Sequence, residues 1–149
     1  MRPLVFSSLF GLAALAAGAA HAGDIEVRNA WIRATTAGMP TAAAYATITN
    51  HAISSDRLTG ARTSAATSAE LHQMTTSGGV MRMRAMLGGI PIGASASINL
   101  SPNGEHLMLV GVKGPLTAGA HVKITLQFQR AGSVVADFTV RYAAPGMHM

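Results

Sequence analysis

Residues 121–142, HVKITLQFQRAGSVVADFTVRY, carry the pattern that decides the fold class of this chain. Polar and apolar side chains alternate from 121 to 129, and successive side chains on a strand point to opposite faces, so the apolar ones share one face. They are Val122, Ile124, Leu126 and Phe128. The stretch Ala131-Gly132-Ser133 is typical of a turn, and a second strand is expected over residues 134–142. The segment therefore predicts a β-hairpin.

Seven further short segments predict strands, and Gly, Pro, Asn and Ser separate them. They are residues 25–33, 43–50, 57–63, 70–76, 80–87, 95–100 and 106–112. No window sustains a helical period. Many short strands at a spacing of roughly 8–12 residues favour an all-β sandwich or barrel. A chain of 149 residues is long enough for one domain with a core.

The N-terminus has the pattern of a secretory signal peptide. Met1-Arg2 is followed by an apolar run over residues 4–17 and by small residues up to Ala22. We expect cleavage after Ala22, a domain over residues 23–144 and a flexible Met/His tail over residues 145–149. With no cysteine for a lipid anchor and no long apolar run for a spanning helix, we expect a soluble periplasmic protein without stable membrane insertion.

A cut after Ala20 is the lesser alternative, and it would leave His21 as the new N-terminus. An N-terminal histidine can bind Cu(II) through its amine and its ring, as in histidine-brace oxygenases. The intact mass of the secreted protein distinguishes the two cuts.

Composition excludes several other classes. The formal net charge is +5, but the basic residues are scattered and aromatic residues are few, which does not favour a nucleic-acid partner. The absence of cysteine excludes a disulfide framework, a four-thiolate zinc site and a His₂Cys blue-copper centre. No G-x-S-x-G motif indicates a hydrolase.

Two histidines and two methionines form the motif H-x10-M-x22-H-x-M: His72, Met83, His106 and Met108. Imidazole nitrogen and thioether sulfur suit the soft ion Cu(I), and they suit Mg²⁺, Ca²⁺ or Mn²⁺ poorly. Without cysteine, methionine would have to supply the sulfur. These four residues are therefore candidate copper ligands.

Strand geometry predicts how these residues come together. His106 and Met108 are two positions apart and share one face of a strand. If Gly78 and Gly79 form a two-residue hairpin loop, Met74 lies opposite Met83. His72 then lies opposite Ala85 and diagonal to Met83, so that His72, Met74 and Met83 line one face. A three-residue loop would break this arrangement.

Several stretches of the chain resemble the periplasmic copper chaperones of the PCu(A)C family, over nearly the whole length of the expected mature protein. They are residues 30–35 (AWIRAT), 43–46 (AAYA) with Ile48 and Asn50, 70–74 (ELHQM), 79–84 (GVMRMR), 104–109 (GEHLML) and 122–126 (VKITL) with Phe128.

The resemblance implies a cupredoxin-like β-sandwich that binds one Cu(I) through His72, Met83, His106 and Met108. It further implies a chaperone and not an enzyme, supplying copper to the CuA centre of cytochrome oxidase or to related respiratory oxidases, alongside Sco-type thiol proteins. A copper-buffering or resistance protein of the same fold, without a dedicated client, remains the alternative. Because only the histidines couple Cu(I) binding to protons, affinity should fall as the pH drops below roughly 6.5.

The other histidines and methionines are not expected to be main copper ligands. Met74 and Met81 are auxiliary candidates beside the main ligands. A secondary copper site, including one for Cu(II), is a further candidate in the tail at Met147, His148 and Met149. Met39 and Met86 are expected to fill the core. His51 and His121 are expected to lie at the surface or in hydrogen bonds.

Overall fold

The structure, a computed structural model, describes residues 22–142. A single 3₁₀ turn, Ala22–Asp24, precedes ten strands. The strands are β1 Ile25–Arg33, β2 Thr41–Asn50, β3 Asp56–Arg62, β4 Ala66–Ser77, β5 Val80–Ala85, β6 Ile90–Ile92, β7 Ser97–Asn99, β8 Glu105–Val112, β9 His121–Phe128 and β10 Gly132–Arg141. The all-β fold predicted from the sequence is confirmed. Within residues 22–142, no helix is long and apolar enough to cross a membrane.

Hydrogen bonding links seven of these strands into a closed ring, a flattened barrel with the character of a β-sandwich. The order is β4-β8-β2-β1-β10-β9-β3, and β3 returns to β4 through the pair Ala61 and Ala69. β5, β6 and β7 are attached to β4, β3 and β2 respectively. β5 therefore lies outside the ring, as the outer strand of a two-stranded arm.

Alternating side chains fill the interior of the ring. On β9, Ile124, Leu126 and Phe128 are buried and Val122 packs against them, which confirms the predicted apolar face. Leu71 on β4 lies opposite Leu107 on β8, and both are buried. The neighbouring residues on these two strands consequently face outward.

The β4–β5 hairpin has the predicted register. Gly78 and Gly79 form a two-residue turn with φ angles of 59° and 80°, in the left-handed region that glycine adopts without a steric penalty. Met74 pairs with Met83, and His72 pairs with Ala85.

Two local predictions were wrong. The β9–β10 turn spans residues 129–131 instead of 131–133, and Gly132, with φ of 79°, already pairs with Phe128. Strand β6 was missed because it has only three residues, and its central Pro91 is a residue that argues against a strand.

The side chain of Asp56 ties the start of β3 to the β9–β10 turn. Its Oδ1 accepts hydrogen bonds from the backbone N–H of Arg57 (2.7 Å) and Arg130 (2.8 Å), and its Oδ2 accepts one from Ala131 (3.0 Å). Asp56 and Ala131 are both buried, so the N–H of Ala131 would have no water as an alternative partner.

We expect Asp56→Asn to lower the free energy of unfolding by about 1–3 kcal/mol, because the new amide N–H₂ would face the N–H of Ala131. Urea denaturation measures the change. Asp137→Asn, at an exposed carboxylate that contacts only a side chain, is the matched control and should change stability by less than about 0.5 kcal/mol. Equal losses in the two variants would contradict the assigned role of Asp56.

Candidate metal centre

Four ring side chains form a row across the outer face of β1, β2, β8 and β4. The ring centroids of Trp31 and Tyr45 are 4.7 Å apart, those of Tyr45 and His106 are 6.3 Å apart, and those of His106 and His72 are 5.9 Å apart. His72 and His106 are directly opposite each other in the β4–β8 register. Two candidate ligands that are distant in sequence are thus neighbours.

An irregularity in β1 places Trp31 in this row. The β1–β2 register shifts between Arg28 and Trp31, and Asn29 within that interval has φ of 52°. A bulge of this kind reverses the alternation of the strand. Val27 and Ile32 consequently both face the core, and Trp31 packs on the outer face against Tyr45. Nothing in the sequence indicated this reversal.

His106 lies at the start of β8, as predicted, and is only 3% exposed. Its Nδ1 lies 3.1 Å from the carbonyl oxygen of Gly104, which can only accept, so Nδ1–H is the donor and Nε2 keeps its lone pair. Burial lowers the pKa of His106, opposed by the bond to Gly104 and assisted by nearby His72. The ring is therefore neutral and able to bind a metal at neutral pH.

His72 is held by a carboxylate that the sequence analysis missed. Its Nε2 lies 2.8 Å from Oε2 of Glu70, two residues earlier on the same face of β4. In the neutral ring Nε2–H donates this bond, and Nδ1 keeps the lone pair. Among the described residues, this Nδ1 is the buried side-chain nitrogen or oxygen that has no hydrogen-bond partner. The spacing of Glu70 from His72 was the available signal.

The methionines of the motif lie on the same face. Met108 is two residues after His106 and opposite Glu70, and Met83 is opposite Met74 and diagonal to His72. Met83 is 49% exposed and Met108 is partly buried. Two imidazoles and several thioethers thus lie on this one face of the sheet. The face is exposed to solvent at β5.

Residues 22–142 contain no group of three or more His, Cys, Asp or Glu side chains arranged for a metal. A site built from three or more such side chains is therefore absent from the described residues, and the thioethers are the soft donors that lie on the same face as the two histidines.

The remaining predicted residues differ in their surroundings. Met86 packs against the core, as predicted, whereas Met39 is 47% exposed and its sulfur accepts the N–H of Thr36, so its predicted core role was wrong. His51 and His121 are exposed and bonded to Glu26 and Asp137, as predicted.

Three predictions fall on residues that the structure does not describe. They are the signal peptide up to residue 21, the alternative N-terminal His21 and the tail residues Met147, His148 and Met149.

A family model described as "Putative lipoprotein LpqE-like" matches residues 25–140, which is most of the chain. This chain belongs to the LpqE-like family. That family is the PCuAC family, in agreement with the resemblance seen in the sequence.

A relative from Leifsonia xyli subsp. xyli, named "Putative lipoprotein Lxx21020", is 36% identical over 108 residues, covering 72% of this chain and 64% of its own length. The match thus spans under two thirds of that relative.

Solved PCuAC structures share the fold. The copper-bound PCuAC domain from PmoF2 superposes with a TM-score of 0.67 at 26% identity, covering 81% of this chain and 95% of that domain. CuI-DR1885 from Deinococcus radiodurans, a solution structure, has a TM-score of 0.60 at 33% identity, covering 81% of this chain and 82% of DR1885.

The buried His106 should make the stability of this PCuAC protein sensitive to acid. Its folded-state pKa lies below the ordinary value near 6.5, so the unfolded chain takes up a proton first as the pH falls. We expect the free energy of unfolding to decrease as the pH falls from about 6.5 to the folded-state pKa, by at most about 1.4 kcal/mol per pH unit for this group.

Urea denaturation of the parent and of His106→Gln at several pH values measures this contribution, and the variant should lose less stability on acidification. NMR titration of the His106 ring reports its pKa directly. A midpoint at or above 6.5 would contradict the assigned effect of burial.

Proposed function

We propose that this chain is a Cu(I)-binding metallochaperone whose site is formed by His72, His106, Met83 and Met108. The observation that carries the proposal is the unpartnered, buried Nδ1 of His72 beside His106, whose Nε2 also keeps its lone pair. A buried nitrogen without a partner is costly unless a ligand satisfies it. The copper-bound state of the PmoF2 domain and the Cu(I) state of DR1885 support copper binding by this fold.

The donor set suits transport of Cu(I) better than permanent retention. Thioethers are soft, carry no proton and cannot form disulfides in an oxidising compartment. Glu70 and the carbonyl of Gly104 orient the two rings, in the way that outer partners orient metal-binding histidines. The exposed Met83 is the ligand that a partner can replace first. Members of the family are chaperones and not enzymes.

Anaerobic titration of the protein with Cu(I), against a chromogenic competitor, tests the site. We expect one tight equivalent in the parent, weakened by at least about 100-fold, or about 2.7 kcal/mol, in His106→Ala and in Met83→Ala. The ligand set would be wrong if both variants bound Cu(I) as tightly as the parent.

Met39→Ala is the matched control for Met83→Ala, because the two methionines are 47% and 49% exposed. It should bind as the parent does. His106 is buried, so its variant is first checked for folding, whereas Met83 is on an exposed strand and its variant retains the core. The same titration on a chain ending at Gly146, with Cu(I) and with Cu(II), tests the proposed secondary site at Met147, His148 and Met149.

We also propose which kind of protein receives the copper. A copper-receiving oxidase subunit, with CuA of cytochrome oxidase as the leading case, or a Sco-type thiol protein would accept the ion in the periplasm, after removal of residues 1–22. Copper buffering without a client is the alternative. Because delivery limits oxidase assembly only when copper is scarce, we expect a deletion strain to lose oxidase activity at low copper and to regain it on copper addition.

Oxidase activity of membranes from the deletion strain, complemented with the parent or with Met83→Ala, measures this. At low copper, the parent and the control Met39→Ala should restore activity, and Met83→Ala should not. Unchanged oxidase activity together with copper sensitivity would favour buffering over delivery.

A further inference from the structure

Two methionines of the β4–β5 arm have no role in the core. All six residues of β5 are exposed, and Met81 and Met83 expose 54% and 49% of their surface. Met86, in contrast, packs against the core, and the sulfur of Met39 accepts a backbone N–H. Apolar side chains grouped on an exposed strand indicate contact with something outside the folded chain.

The arm brings three thioethers to one face. Met74 is directly opposite Met83, and such pairs have their Cβ atoms about 5 Å apart. Met81 is two residues before Met83, on the same face, and diagonal to Met74 at about 7–8 Å. Long, flexible methionine side chains can span these distances to one ion. Arg82 and Arg84 point to the opposite face, so their charges do not crowd the sulfurs.

We propose that Met74, Met81 and Met83 form a second position for a soft monovalent metal ion, composed only of thioethers, at the turn end of the arm. The inference rests on the proposed function, since it makes this position the entry to the two-histidine site. Soft thioethers select Cu(I), and such a position captures the ion without releasing a proton.

Met83 belongs to both positions and connects them. His72 is opposite Ala85 and diagonal to Met83. It lies two residues further from the Gly78-Gly79 turn than Met74 does. Transfer is a ligand exchange in which the Cu–S bonds to Met81 and Met74 break as Cu–N bonds to His72 and His106 and a Cu–S bond to Met108 form. The bond to Met83 is kept, the copper stays Cu(I), and no electron or proton moves.

Titration of the full chain with Ag(I), followed by NMR of the ¹³C-labelled methionine methyl groups, tests the second position. Ag(I) is a soft monovalent ion with no redox step. The first equivalent should shift the methyl resonances of Met83 and Met108. Further Ag(I) should shift those of Met81 and Met74, because a thioether sulfur has two lone pairs and Met83 can bridge the two ions. Met39, remote from the arm, should remain unchanged.

Met81→Leu, which conserves volume, is the decisive variant, and Met39→Leu is its control. Met81→Leu should change the affinity for the first equivalent less than about twofold and weaken the second by at least about tenfold. If Met83 and Met108 respond but Met81 and Met74 do not, the second position is wrong and the proposed function stands. If Met81 responds with the first equivalent, Met81 is a ligand of the main site and the second position is again wrong. If none of these methyl groups responds, both proposals fail.

Discussion

Antiparallel pairing of β4 with β5 on one side and with β8 on the other determines where the candidate ligands lie. The first pairing places Met83 opposite Met74, and the second places His106 opposite His72. A slip of one residue in either pairing would turn the ligands of one strand to the opposite face. The buried pair Leu71 and Leu107 opposes such a slip between β4 and β8, because it would expose apolar area that is now in the core.

The closed ring separates the core, which lies inside it, from the candidate binding face, which lies on its outer surface. Seven strands complete the ring without β5, so the arm can stay exposed while the ring holds the core. Tyr45 lies beside His106 and packs in turn against Trp31, and burial raises the pKa of the Tyr45 hydroxyl, opposed by the charge of Arg33. The candidate binding face thus has a buried aromatic side and an exposed thioether side.

Short-range patterns were the most predictable part of this protein. A two-residue hairpin loop permits few backbone geometries, so the β4–β5 register could be predicted on the condition that Gly78 and Gly79 form such a loop. Alternation on β9 predicted its buried face. The bulge at Asn29 has no comparable sequence signal, and without it Trp31 would have been assigned to the core. The role of Glu70 was not predicted, because it depends on the side-chain conformations that bring its Oε2 within 2.8 Å of Nε2 of His72.

The sequence by itself determined the all-β class and the chemical types of the candidate donors and, on the condition of a two-residue loop, predicted the register of the β4–β5 hairpin, because residues a few positions apart control strand alternation and tight turns. The tertiary structure alone decided that β8 lies between β4 and β2, that His72 and His106 are neighbours, and which nitrogen of each ring keeps its lone pair. Those features depend on which long-range register buries Leu71, Leu107 and Leu109 together, and that is a property of the whole core.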